Sequence, residues 1–204
     1  MLVIGLTGNY GMGKSTVLPM FRNLGAAVID SDEVVDSLLR EEDVLEKIRV
    51  LFGKDIFFRN GSLNKKRVAR IIFRNAILKN SLEEIVHPLV FERILCFLDS
   101  VKKTHRIAVV EIPLLYEKGY EDRFDRTITV FTDENKALSR LEKRGLRRKE
   151  AELRLHAQMP IKEKVGKSDF AIDNNGSMKK TTSQVEEIYG QLLKEEKDED
   201  HNRP

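Results

Sequence analysis

The sequence predicts an α/β protein: a doubly wound sheet of five parallel strands covered by helices. Two observations lead there. Apolar runs rich in Val and Ile recur at residues 2–6, 26–29, 107–110, 127–131 and 170–172, with helical patterns among the stretches between them. Strands buried on both faces read this way. The first run, Leu2-Val3-Ile4-Gly5-Leu6, also leads straight to Gly8-Asn9-Tyr10-Gly11-Met12-Gly13-Lys14-Ser15, the Gly-x-x-x-x-Gly-Lys-Ser spacing of a phosphate-binding loop.

In such a loop the glycines let successive backbone N–H groups turn inward around phosphate oxygens. Lys14 adds a mobile positive charge and Ser15 offers a hydroxyl to Mg²⁺. Gly8, Gly11, Met12, Gly13, Lys14, Ser15 and Thr16 are the expected triphosphate contacts, and the sheet is of the P-loop NTPase type. The bland alternative is a glycine-rich turn with an exposed lysine. A strand before and a helix after, over residues 15–24, favour the phosphate loop.

Helical patterns follow at 134–144 and 149–159. A last helix places Val185, Ile188, Tyr189, Leu192 and Leu193 at i, i+3, i+4, i+7 and i+8, one apolar stripe. Between the second and third strands, residues 32–103 read as helices broken at Gly53, Asn60-Gly61 and Pro88. Ligands of open α/β sheets bind beyond the carboxyl ends of strands, so a helical insertion leaving the second strand is an expected acceptor domain. The expected organisation is a nucleotide-binding core of 1–31, 104–133 and 168–194, the acceptor insertion 32–103, a helical lid 134–167, and a disordered tail 195–204, which has no apolar residue to anchor it.

Composition narrows the class. The chain has 204 residues, enough for one core with an appended subdomain. Its 36 Lys+Arg and 33 Asp+Glu leave a formal charge of +3. The densest basic stretch, Arg144-Gly145-Leu146-Arg147-Arg148-Lys149, is short and not interleaved with aromatics, which argues against a nucleic-acid partner. No apolar stretch approaches the roughly 18 residues of a membrane span, and Met1 runs almost directly into the first strand without a signal sequence. Cys96 is the single cysteine; it excludes an intrachain disulfide, fits a reducing cytoplasmic compartment, and reads as core packing. No heptad run demands assembly, so a monomer or weak homo-oligomer is expected.

Chemistry is suggested at several strand and helix ends. The second strand ends in Asp30-Ser31-Asp32. If the extended geometry persists, the two carboxylates share a side, one supporting Mg²⁺ through water and the other, Asp32, accepting the proton of an incoming hydroxyl. The alternative is an N-cap for the next helix. Glu111 closes the third strand as the acid of a Walker B site would, so Mg²⁺ support falls to Asp30 or Glu111. Arg140 and Arg144, at i and i+4 on one helix, share a face. Two guanidinium groups on a mobile element can neutralise charge that grows in a phosphoryl-transfer transition state; a solvated basic face is the alternative. His87 could be a metal ligand, a base or a helix-end residue before Pro88, and the metal-ligand reading is disfavoured.

Several short blocks in this order resemble the dephospho-coenzyme A kinase family: Gly5-Leu6-Thr7-Gly8 before the P-loop, Asp30-Ser31-Asp32, Ile85-Val86-His87-Pro88, Pro113-Leu114-Leu115-Tyr116-Glu117, Phe124-Asp125, Arg140 and Arg144 with Gln158, and Ile172-Asp173-Asn174-Asn175-Gly176. The resemblance runs from about Leu2 to Gly176 and implies transfer of the γ-phosphate of ATP, with Mg²⁺, to the ribose 3′-hydroxyl of dephospho-coenzyme A. It implies that Asp32 is the base, Arg140 a lid arginine, and Asn174 to Gly176 a loop beside the adenine. Lys65, His87, Pro113, Leu114, Tyr116 and Glu117 would line the acceptor site, and Arg144 would join the ATP contacts. Departures are the large Tyr10 ring at the P-loop tip, Lys65 where many members carry arginine, and Ala137 in place of a common glutamine. Nor does the family fix an acid at Glu111.

Other readings are a kinase of a different small metabolite such as a nucleoside monophosphate or shikimate, a GTP switch, and a non-catalytic ATP-binding module. The His87-Pro88 insertion disfavours the first. Asn64-Lys65-Lys66-Arg67 lacks the aspartate of a guanine-reading motif, and a mere binder needs neither base nor acceptor insertion.

Overall fold

The computed structural model describes residues 1–201. Its strands are β1 (Leu2–Thr7), β2 (Ala27–Asp30), β3 (Ile107–Glu111), β4 (Arg126–Phe131) and β5 (Phe170–Asp173). Its α-helices are α1 (Lys14–Asn23), α2 (Ser31–Leu38), α3 (Glu42–Phe52), α4 (Lys65–Ile72), α5 (Ala76–Val101), α6 (Glu134–Lys143), α7 (Arg148–His156), α8 (Ile161–Lys167) and α9 (Met178–His201). The strands form one sheet in the order β2-β3-β1-β4-β5. β1 pairs in parallel with β3 and β4, and β4 with β5. The register sets Leu6 opposite Glu111, Thr7 opposite Thr129 and Phe131 opposite Asp173, so the carboxyl ends of four strands gather where the P-loop leaves β1.

The chain divides into two compact units. In the first, residues 1–29 and 98–204, the core joins Leu2, Ile4 and Leu6 of β1 to Val17, Leu18 and Phe21 of α1 and to Val185, Ile188 and Leu192 of α9. The stripe expected on the last helix is the one that packs. Each such side chain contributes about 1.5–3 kcal/mol on burial.

The second unit, residues 30–97, has its own core of Val44, Ile48, Ile56 and Val68, with Phe52, Phe57, Leu63, Ile71, Leu82 and Leu89 against it. The Asn60-Gly61 break is a tight turn, Phe58 N–H donating to Ser62 O at 2.9 Å, which brings Phe57 and Leu63 into an isolated antiparallel bridge. Pro88 does not break its helix: α5 runs through it. A proline removes one N–H bond to the residue four positions back, and a helix of 26 residues keeps the bonds on either side.

Two further expectations are corrected. Cys96 is exposed, not core; the buried positions of α5 are Val86, Val90 and Ile94, four apart, and a residue two beyond Ile94 faces away from that stripe. The expected disordered tail from 195 is helical through His201. Its anchor is ionic: Glu196, 6% exposed, accepts from Arg106 Nε at 2.6 Å and lies 3.8 Å from the Met1 ammonium. Residues 202–204 of that call lie outside the described residues.

Candidate active site

The turn between β1 and α1 is built by glycines that cannot be replaced in place. Gly8 has φ +147°, and a Cβ there would lie 2.3 Å from Val130 O; Gly13 has φ +102°, and a Cβ there would lie 2.0 Å from Asn174 Nδ2. The backbone therefore runs against β4 and the loop after β5, leaving Gly13 as the N-cap of α1 with no side-chain cap. Uncapped N–H groups at a helix start are the donors a phosphate accepts from. Lys14, 8% exposed, donates from Nζ to Gly8 O at 3.0 Å and lies 3.7 Å from Glu111 Oε1. Ser15 is exposed in the first turn of α1, and Thr16 N–H is bonded to Gly13 O at 3.0 Å.

Helix α6 holds its apolar face, Ala137, Leu138 and Leu141, inward and thereby aims Arg140 at this turn. Nη1 of Arg140 lies 3.4 Å from Gly11 O and 3.3 Å from Met12 O, and Nη2 lies 3.1 Å from Asn174 O. Met12 is buried against Ala137, Leu155 and Ile161. Asn174, 6% exposed, donates from Nδ2 to Met12 O at 2.9 Å and accepts from Thr181 Oγ1 at 3.1 Å. Gly176 is exposed. Next to Asn174, Asp173 has its carboxyl below the usual range, first because it accepts the Asn175 backbone N–H at 2.9 Å.

A second tie joins the same turn to the segment between α7 and α8. Asn9 Nδ2 donates to Met159 O at 2.9 Å and Tyr10 N–H to Gln158 Oε1 at 2.7 Å. Glu117 Oε1 accepts from Met159 N–H at 3.0 Å and from Lys164 Nζ at 2.8 Å. Lys164, fully buried, also donates to Pro113 O at 2.9 Å. Burial pushes its pKa down, the Glu117 carboxylate pushes back, and the Lys14 charge lowers it further.

The structure thus brings together Gly8, Gly11, Met12, Gly13, Lys14, Arg140 and Asn174. Arg144 does not join them; it is exposed at the C-cap of α6, with no side-chain partner among the described residues. The extended path from Asp30 to Asp32 does not persist. Asp30 is the N-cap of α2, accepting Asp32 N–H at 2.8 Å, and Asp32 is exposed in the first helical turn. Helix capping turns the backbone after Asp30, so the carboxylates diverge in role.

Lys65 is paired with Asp36 at 2.5 Å, and His87 is half-buried within α5. Pro113 and Leu114 are half-buried, whereas Tyr116, 5% exposed, gives its hydroxyl to Thr127 Oγ1 at 2.9 Å, its pKa raised by burial. Tyr116 and Glu117 are therefore engaged inside the first unit. Sequence reasoning missed Lys164 and Asn9. For Lys164 a signal exists: it lies three residues after Ile161 and just before Val165, on the apolar face of α8 rather than its charged one.

No group of three or more His, Cys, Asp or Glu suited to a metal occurs among the described residues. The oxygen donors at the turn, Ser15 and the 4% exposed Glu111, fit Mg²⁺, which keeps waters and binds through phosphates rather than in a protein cage.

Gly13→Ala tests the turn. The αL penalty and the displaced Asn174 bond should together lose about 2–3 kcal/mol. In thermal melts this reads as a Tm drop of roughly 4–12 °C for a chain of this size; an unchanged Tm would mean that the turn is not packed on Asn174.

A parallel sheet in this order, with a glycine-built P-loop, a buried lysine and a helix-borne arginine converging on it, defines a P-loop kinase. Residues 2–180 match the dephospho-CoA kinase family model, and the chain belongs to that family. It is 38% identical over 193 residues to a dephospho-CoA kinase of Aquifex aeolicus, covering 94% of this chain and 98% of that one. A crystal structure of a Thermus thermophilus protein superposes with TM-score 0.80 at 32% identity, over 95% of this chain and 97% of that one. A Campylobacter jejuni dephospho-CoA kinase gives 0.69 at 28%, over 94% and 97%.

Proposed function

We propose that Lys14, Arg140 and Asp32 carry the transfer of the γ-phosphoryl group of ATP to the ribose 3′-hydroxyl of dephospho-coenzyme A, giving coenzyme A and ADP. The observation that carries the reading is the convergence of Lys14 Nζ and Arg140 Nη1 on the carbonyls of one glycine turn, at 3.0 Å from Gly8 O and 3.3 Å from Met12 O. Cations held against that turn face the phosphates and offset charge that builds up in the loose transition state. Asp32 accepts the hydroxyl proton; aspartate is a weak base, but the reaction asks for positioning more than basicity. Ser15 supplies the protein oxygen for Mg²⁺, which when bound neutralises the β- and γ-phosphates.

Residues 134–167 act as the lid, with Arg140 as its working end, and Asn174 to Gly176 border the adenine. Lys65 and His87, on the 30–97 unit, contact the acceptor. We place the reaction in the cytoplasm, on the support of a single cysteine, and take the monomer as the working unit. No helix among the described residues is long and apolar enough to cross a membrane.

The test is incubation with Mg·ATP and dephospho-coenzyme A, following ADP and coenzyme A by mass. Stoichiometric coenzyme A is expected. ADP without coenzyme A would move the acceptor to another alcohol, and silence in both channels would leave only an ATP-binding module.

A further inference from the structure

Lys164 lies outside the P-loop and outside every residue assigned to ATP or acceptor above, yet it is fully buried and charged-paired. A buried ammonium is unfavourable unless its donors are met, and here they reach groups that lead to both flanks of Gly8, at the start of the P-loop turn. On one side Nζ donates to Pro113 O, which also accepts from Thr7 Oγ1 at 3.2 Å, Thr7 being the last residue of β1 before Gly8. On the other side Nζ pairs with Glu117 Oε1, which holds Met159 N–H, while Met159 O and Gln158 Oε1 hold Asn9 Nδ2 and Tyr10 N–H.

We propose that Lys164 is a positioning residue for phosphoryl transfer, tying Thr7 through Pro113, and Asn9 and Tyr10 through Glu117 and the 158–159 segment, so that the P-loop keeps its phosphate-binding shape. It touches no substrate in this role. The chain of contacts explains why a lysine, with several donors on one point charge, is buried where an apolar residue would otherwise complete the face of α8. The inference rests on the reading of the turn as the ATP site and not on the identity of the acceptor.

The experiment compares the full-length wild type with Lys164→Met and with the double variant Lys164→Met/Glu117→Leu, measuring Tm, equilibrium binding of ATP, and KM and kcat for both substrates. An apolar replacement of a whole buried pair is commonly neutral for stability, so the double variant separates folding from positioning if the single one fails to fold. Expected is a double variant with a wild-type Tm, ATP affinity and kcat/KM for ATP lowered roughly ten- to a hundredfold, and an unchanged KM for dephospho-coenzyme A. Wild-type ATP binding by the double variant overturns the proposal. A raised KM for dephospho-coenzyme A alone overturns it too, by placing Glu117 at the acceptor, and a double variant that cannot fold reduces the pair to a stabilising one. Direct ATP titration keeps the test valid if the wild type turns over a different acceptor, so the two readings fail separately.

Discussion

Asp32→Asn is expected to lower kcat by about 10²–10⁴-fold, the usual range for removal of a general base, with the KM for ATP nearly unchanged. The variant keeps the backbone cap of α2. The Asp32 side chain is exposed, and it is the Asp32 backbone N–H, kept in the variant, that caps α2 by donating to Asp30 Oδ1 at 2.8 Å. Loss of its charge near the helix N-terminus removes a favourable contribution of about 0.3–1 kcal/mol. Stability should therefore stay almost constant while turnover collapses. Asp30→Ala should show the opposite emphasis, losing about 1 kcal/mol of stability with the cap. Steady-state kinetics beside thermal melts decide the matter; full turnover by Asp32→Asn would remove it as the base.

Lys14→Met should lower kcat/KM for ATP by about 10²–10³-fold, the scale for one preorganised electrostatic contact. It should also destabilise the protein. Glu111 is 4% exposed with Lys14 Nζ at 3.7 Å, and removing one member of a buried pair leaves a charge in a poor solvent. About 3 kcal/mol is expected, the low end for such a break, because 3.7 Å exceeds hydrogen-bond length. The double variant Lys14→Met/Glu111→Leu isolates the stability effect: its Tm should recover, while its ATP turnover, now without the Glu111 oxygen as well, should not. Recovery of both would show that Lys14 serves the fold alone.

The strands and the P-loop were legible because their signals are local. An apolar run such as Ile107-Ala108-Val109-Val110 is buried on both faces whatever lies next to it, and the structure buries all of these residues. The glycines at 8, 11 and 13 announce backbone that other residues rarely adopt, and each has a positive φ. The stripe of α9 was readable from its period. The misreadings fall elsewhere. Pro88 reads as a break because proline disfavours helix locally, but a long helix absorbs it. Cys96 reads as core by residue type, but its place around α5 turns it outward. The tail looked unanchored because its partners, Arg106 and the Met1 ammonium, are far away in sequence.

The site divides along the same line. Lys14, Ser15 and the P-loop glycines stand in one short segment, so their spacing alone carries their chemistry. Arg140 and Asn174 were named from the sequence, but not that both bond the carbonyl of Met12. Asp30 and Asp32 differ in role because Asp30 caps α2, a consequence of where the strand stops. Lys164 sits in a charged stretch, and only the folded chain shows it buried on Pro113 O and Glu117. The sequence by itself determined the sheet and the phosphate loop, since periodicity and backbone preference act over a few residues, and its short motif blocks carried the resemblance to a kinase family. Which arginine faces the turn and which lysine is buried beside it were decided by the tertiary structure, since their hydrogen-bond partners, 34 to 129 residues away, are chosen by packing and by the low dielectric that packing creates.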